Sequence, residues 1–292
     1  MRKVLLCAIC LTSACGGPLT AASPAKNEVP PYLEGPAPSV HQPYEPGAPD
    51  ALACEQNLDQ EIESQELQTA IGISLSFLLA GPGQVDVVGD GAAGGVLTWD
   101  WRTAYPDQTV VKLAAEPLGG KWFASRFPGA QFTLLMRYRG HLMEAVNSQT
   151  SEGLFLHGMA SSLEAPPEGK TLLVYDQPVQ ALKYPLKPGM SWTAVGRDPA
   201  ATVLGLNQRR TDTYEVKVDA AGEMLLPDLA FSQVHRVRTK LSMHIDSPEA
   251  TVTQRQVSYF AECLGEVARA TSALDEQAED FTSASEIRRL GL

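Results

Sequence analysis

Gly89, Gly91 and Gly94 spell G-x-G-x-x-G (GDGAAG) directly after the run QVDVV, a spacing by which a backbone can cradle a pyrophosphate. That chemistry needs a helix to follow, so that its first N–H groups face the phosphates. Here Gly95 to Trp101 alternate like a strand instead, so the glycines read as a hairpin turn with Asp90-Gly91 supplying positive φ. Ser23-Pro24-Ala25-Lys26 matches the S-x-x-K string of penicillin-recognising enzymes, but it lies among prolines with no S-D-N or K-T-G downstream. His41, His141, His157, His235 and His244 never fall at the i, i+4 spacing of a helical zinc site. There is no G-x-S-x-G nucleophile elbow either. A nucleophile built on Cys54 or Cys263 with a histidine competes with a disulfide, which the compartment argued below favours. These residues point to no catalytic, cofactor-binding or metal-ligating set, and the chain reads as a non-enzyme without a cofactor.

The cysteine with a chemical role of its own is Cys15. Arg2 and Lys3 precede an apolar run from Val4 to Leu11, and Thr12-Ser13-Ala14-Cys15-Gly16 follows. A basic start, a short apolar stretch and small residues before a cut describe an export signal. The run is shorter than the ~20 apolar residues that span a bilayer. The ending resembles a lipobox, with Thr12 where leucine is usual, and it implies a lipid thioether on Cys15 after removal of residues 1–14. The alternative is ordinary cleavage after Ala21 or Ala22. Cys7 and Cys10 leave with the signal and Cys15 is consumed, so two of the five cysteines remain, Cys54 and Cys263. An even remainder in an oxidising compartment suggests a disulfide, with two buried free thiols as the alternative.

Two further groups are candidate binding residues. Trp99 and Trp101 share a strand face and, with Phe77, could line a cleft for an apolar ligand; core packing is the other use of such aromatics. Arg236, Arg238 and Lys240 share the outward face of one strand and could meet lipid headgroups or an acidic polymer; the alternative is a solvated face or a charge-protected edge.

These residues must be carried by a β-rich frame. Residues 16–50 hold nine of the chain's twenty-one prolines and read as an extended tether between anchor and domain. Residues 51–68 are charged and glycine-free, with room for a short helix. From Ile71 onward the pattern alternates with a period of two. Strands are predicted at 71–79, 84–88, 96–103, 110–114, 131–138, 141–147, 153–157, 171–175, 191–195, 213–218, 223–226, 234–245 and 251–263. An acidic loop at 275–280 leads to a predicted short C-terminal helix capped by Ser283 or Ser285. The fold class is mainly β: one domain over 51–292, as an antiparallel sandwich, barrel or half-barrel with short helices near its start and at its C-terminus. A formal charge of −11, or −13 once Arg2 and Lys3 are removed, argues against nucleic acid as a partner.

The stretch LKYPLKPGMSWT, the later paired strands and the closing piece YFAECLGEVARATS resemble secreted β-rich bacterial lipoproteins of myxobacterial type. The resemblance covers about the last 110 residues and the signal. Its motifs are structural and imply no active-site residues. The expectation is an envelope lipoprotein, held by Cys15 to the periplasmic or outer face of an envelope membrane; Gly16 after the anchor resembles the arrangement in lipoproteins delivered to the outer membrane. Two roles follow for its domain: a structural or interaction module for other envelope proteins, or a carrier of an apolar ligand such as lipid in a curved sheet. A concave apolar cavity of at least ~300 Å³ favours carriage; a filled core with exposed sheet edges favours interaction.

Overall fold

The computed structural model describes residues 54–91, 95–246 and 249–291; Cys15, the signal segment and the whole tether lie outside them. Alternating residues build fourteen strands. The first four are β1 (Ser74–Ala80), β2 (Gly83–Gln84), β3 (Thr98–Asp100) and β4 (Thr109–Pro117). Then come β5 (Phe132–Tyr138), β6 (His141–Thr150), β7 (Gly153–Ser161), β8 (Leu172–Lys183) and β9 (Met190–Val203). The last five are β10 (Leu206–Leu225), β11 (Ala230–Asp246), β12 (Glu249–Ala261), β13 (Gly265–Leu274) and β14 (Ser283–Leu290).

Twelve of them form a closed antiparallel barrel. The path runs from β1 to β4 and then in sequence order to β14, which returns to pair with β1 through Phe77 opposite Leu290 and Leu79 opposite Arg288. Closure removes the two free edges that an open sheet would leave. Two seams are thin. β4 and β5 pair at only three positions, from Ala115↔Leu134 to Pro117↔Phe132. β8 and β9 pair at one, Leu172↔Thr202. Along that second seam carboxylates stand in for carbonyls: the Val174 N–H donates to Asp198 at 2.7 Å and the Arg197 N–H to Asp176 at 3.2 Å.

The two wall faces differ in kind. Along β10 and β11 the inward positions are Tyr214, Val216, Val218, Val237 and Leu241, while Glu215, Lys217, Arg238 and Lys240 point outward. A membrane-spanning barrel carries an apolar outer band around a polar lumen, so this wall is turned the opposite way. Outer apolar positions occur where a segment covers them. Trp99, Trp101, Val85, Val87 and Phe281 pack on Val257, Tyr259 and Ile287. Phe123 and Phe127, flanking a 3₁₀ turn at Ala124–Arg126, pack on Val146 and Ala160.

One barrel end is stoppered. Ile62 and Leu67 sit in a cluster with Leu182, Leu186, Val216 and Phe260. Ile62 exchanges backbone hydrogen bonds with Leu186 at 2.8 and 2.9 Å. Cys54 is disulfide-bonded to Cys263 in the β12–β13 turn at the same end, so the start of the domain is tied to its penultimate hairpin.

Both predicted short helices are corrected. Between residues 54 and 68 the chain forms turns, because Asn57 and Asp59 side chains accept the N–H groups of Asp59 and Glu61 and so compete with helical bonding. The C-terminal segment is β14. Ala284 and Ile287, spaced by three, share a face because a register shift between Thr271 and Ser272 leaves an extra residue in β14, while Leu290, opposite Phe77, lies on the other face with Arg288. Asp90 and Thr98 exchange backbone hydrogen bonds at 2.8 Å in an antiparallel bridge, and residues 92–94 between them, Gly94 included, lie outside the described residues. Positive φ falls on Gly89, at 81°, and not on Gly91.

Candidate functional site

The barrel lumen is incompletely filled. A cavity of about 670 Å³ lies inside the wall, with side chains from eleven of the twelve barrel strands around it. Its floor is the stopper cluster, through Leu154, Leu182, Val216, Val237 and Phe260. Its far side is a methionine- and tyrosine-rich cluster containing Tyr138, Met143, Met159 and Tyr175, which fills the β6–β10 half of the other barrel end. Leu79, Val111 and Leu113 complete an aliphatic wall.

The cavity opens at the end opposite the stopper, where β4 and β5 diverge. Val111, Lys112 and Leu113 line one lip of this split, and Leu135, Met136 and Arg137 line the other. Two leucines stand exposed at the mouth, Leu142 at 47% and Leu274 at 42%. Arg137 reaches Glu286 of β14 across it, with an N–O distance of 3.6 Å. An exposed pair of that length contributes about 0–1 kcal/mol to stability. It is therefore weak enough to part.

Besides single polar residues such as Thr239, Gln254 and Gln256, two charged clusters enter the lumen. Arg210 and Asp212 pair at 2.7 Å on β10. Tyr175 donates to Asp212 at 2.6 Å, and Arg210 donates to Tyr138 Oη at 2.9 Å. Burial and the nearby Asp212 carboxylate raise the Tyr214 hydroxyl well above the usual phenol value, so it stays neutral. The second cluster joins β13 and β14. Glu266 accepts from Arg269 Nε at 2.8 Å and from Arg288. Burial pushes Glu266 upward, but the two guanidiniums outweigh that and hold it below the usual carboxylate value.

The residues singled out in the sequence are distributed unevenly around this cavity. Phe77 lies near it, buried, with the Arg288 guanidinium 5.3 Å from its ring centre. Trp99 and Trp101 do not line it. They lie outside the wall, donating to the carbonyls of Val88 and Asp86 and packing on Tyr259 at 4.8 and 5.1 Å. Trp101 also borders a separate shallow groove on that outer layer, beside Tyr105 and Asp86. Arg236 and Arg238 share a face as expected, but at 8% and 7% exposure they are not a free contact surface. Both bind Asp219 at 2.7 Å, and Arg238 also binds Asp280. Lys240 is half-exposed and pairs with Glu215. Cys54 and Cys263 are bonded; Cys15 lies outside the described residues.

Glu266, Arg269 and Arg288 are functional candidates that the sequence reading missed. The signal was three charged residues in two otherwise half-apolar segments, and reading the second as a helix hid it. Ser148 Oγ lies 2.8 Å from His157 Nε2, the contact that most resembles a nucleophile and its base. Neither side chain lines the cavity, and no carboxylate is bonded to the histidine among the described residues. Among those residues, no three His, Cys, Asp or Glu side chains are grouped to hold a metal ion. No protein-family model, curated protein or solved structure matches this chain.

Proposed function

We propose that this protein binds an apolar ligand in the lumen of its barrel, and does so while held to an envelope membrane through a lipid on Cys15. The observation carrying the first part is the apolar cavity of about 670 Å³ with a mouth at one end. Its size falls within the ~300–1,000 Å³ range of small-molecule sites. Apolar surface left inside a wall whose outer face is charged has no packing partner, and a ligand would supply one. The rival role, a module that presents a sheet edge or a cationic face to another envelope protein, has less support. Barrel closure leaves no edge strand on its path, only the two thinly paired seams, and Arg236 and Arg238 are taken up in internal ion pairs. The second part rests on the export signal with its lipobox-like ending and on the proline-rich segment after it.

Native mass spectrometry of protein extracted gently from its membrane is the direct test. The expected result is a co-purifying apolar adduct, absent from Thr239→Trp, in which an indole occupies the cavity beside Leu241. A clean apo mass for the wild type, with no uptake of added lipid, would sink the carrier reading. Labelled palmitate is expected to enter the wild type and not Cys15→Ala. A soluble mature form beginning near Ser23 would sink the anchor.

A further inference from the structure

The lining of the cavity is cationic out of proportion to the chain. Arg137, Arg139, Arg269 and Arg288 contribute to it against two carboxylates, Glu266 and Glu286, in a protein whose formal charge is −11; Lys112 and Arg255 border it as well, but each lies between two inward-facing neighbours and turns its charge outward. Some of these charges are spoken for. Glu286 faces Arg137 across the mouth, and Arg255 donates to the carbonyls of Glu276 and Gln277.

Deeper in, the two charged clusters of the lumen differ in one respect that decides between them. Arg210 has Asp212 to itself, and their tyrosine neighbours complete the hydrogen bonding, so that group is neutral and satisfied. Arg269 and Arg288, directly opposite one another on β13 and β14, must share the single carboxylate of Glu266. One positive charge is left over. Arg288 Nε is buried and has no hydrogen-bond partner among the described residues. Burial and the neighbouring Arg288 charge both lower the Arg269 pKa, in spite of Glu266 and of a weaker pull from Glu286. A guanidinium kept in an apolar lumen without its full set of acceptors is costly, and an oxyanion would remove that cost. Planar guanidiniums also suit two-oxygen acceptors.

Resting on the lumen-binding reading above, we infer that the ligand is an anionic amphiphile. Its single apolar chain lies along Leu79, Val111, Leu113 and Leu156, and its carboxylate or phosphate head sits on Arg269 and Arg288. A neutral chain would leave the surplus charge uncompensated.

The test compares one chain with three heads, namely oleate, oleyl phosphate and oleyl alcohol, each titrated into purified full-length protein stripped of bound lipid. At least one anion is expected to bind about 10- to 100-fold more tightly than the alcohol, the gain of a charge-assisted hydrogen bond. Which of the two anions binds more tightly identifies the head. Arg288→Gln should close the gap by weakening the anion and sparing the alcohol. Glu266→Gln should widen it, because it frees the second guanidinium. This opposite sign keeps the test decisive if Arg288→Gln does not fold. Equal binding of alcohol and anions by the wild type overturns the inference and leaves lumen binding standing. No binding of any of the three overturns the lumen reading itself.

Discussion

Asp219 holds two guanidiniums, Arg236 on both carboxylate oxygens and Arg238 on one, and this explains why a strand face rich in arginine is not a docking surface. Removing that carboxylate leaves two mostly buried cations without their main anion. Asp219→Asn should therefore cost about 3 kcal/mol or more in urea unfolding, against less than about 1 kcal/mol for Lys240→Ala, whose partner is exposed. His235 gives a pH signature. It is fully buried, and burial lowers its pKa below 6.5 although Glu262 and Asp59 pull the other way; its Nε2 contacts the Gln60 carbonyl at 2.9 Å. The unfolded chain then binds the proton more readily than the folded one, so stability present above pH 6.5 is lost as pH falls toward the folded value. Urea midpoints at pH 7.5 and 5.5 should differ more for the wild type than for His235→Gln. An equal difference would assign the acid sensitivity elsewhere. At this scale the sequence displayed Arg236, Arg238 and Lys240 on one face. It could not display Asp219, whose proximity depends on the β10–β11 register.

The element most in need of reinforcement is the stopper, an irregular stretch with few apolar residues of its own. The Cys54–Cys263 bond closes a loop of 209 residues, and the chain-entropy model puts the effect of such a long loop near ~5 kcal/mol as an upper figure. Paired Cys54→Ser and Cys263→Ser substitutions should lower stability by about 2–5 kcal/mol. They should also speed exchange of a lumen-bound apolar dye, because the floor loosens; unchanged exchange would mean that Ile62 and Leu67 suffice. The cysteine pair was legible by counting, and most strands by alternation. The turns of β10 were less so. Segments 213–218 and 223–225 belong to one strand, because Gly222 continues the ladder where the Leu97 carbonyl would lie 2.2 Å from a β-carbon. β14 was misread because Ser283 and Ser285 were taken for helix caps, whereas the Ser285 hydroxyl donates to the Thr271 and Ser272 carbonyls at a bulge.

For the molecule as a whole, alternation announced a sheet with two unlike faces but not which face would be enclosed. Closure depends on β1 meeting β14 across more than 200 residues, and no local pattern encodes that pairing. The cavity follows from closure and was therefore out of reach too. What the sequence supplied was the condition under which carriage is favoured, and the lumen meets it in size. The wall itself is uneven. At β8–β9 the N–H groups of Val174, Arg197 and Ala200 end on Asp198 or Asp176 side chains, not on a neighbouring strand's carbonyls. Hydrogen exchange should reach these amides ahead of those in the β10–β11 ladder, and Asp198→Ala should accelerate it further. Protection equal to that of β10–β11 would show the seam to be as firm as the rest.

Two thin seams, at β4–β5 and β8–β9, divide the hoop of strands into two stiff arcs. A cylinder built this way has expansion joints. On the lumen-binding reading proposed above, a guest thicker than the resting bore would be met by flexing at the joints, with every long ladder left intact.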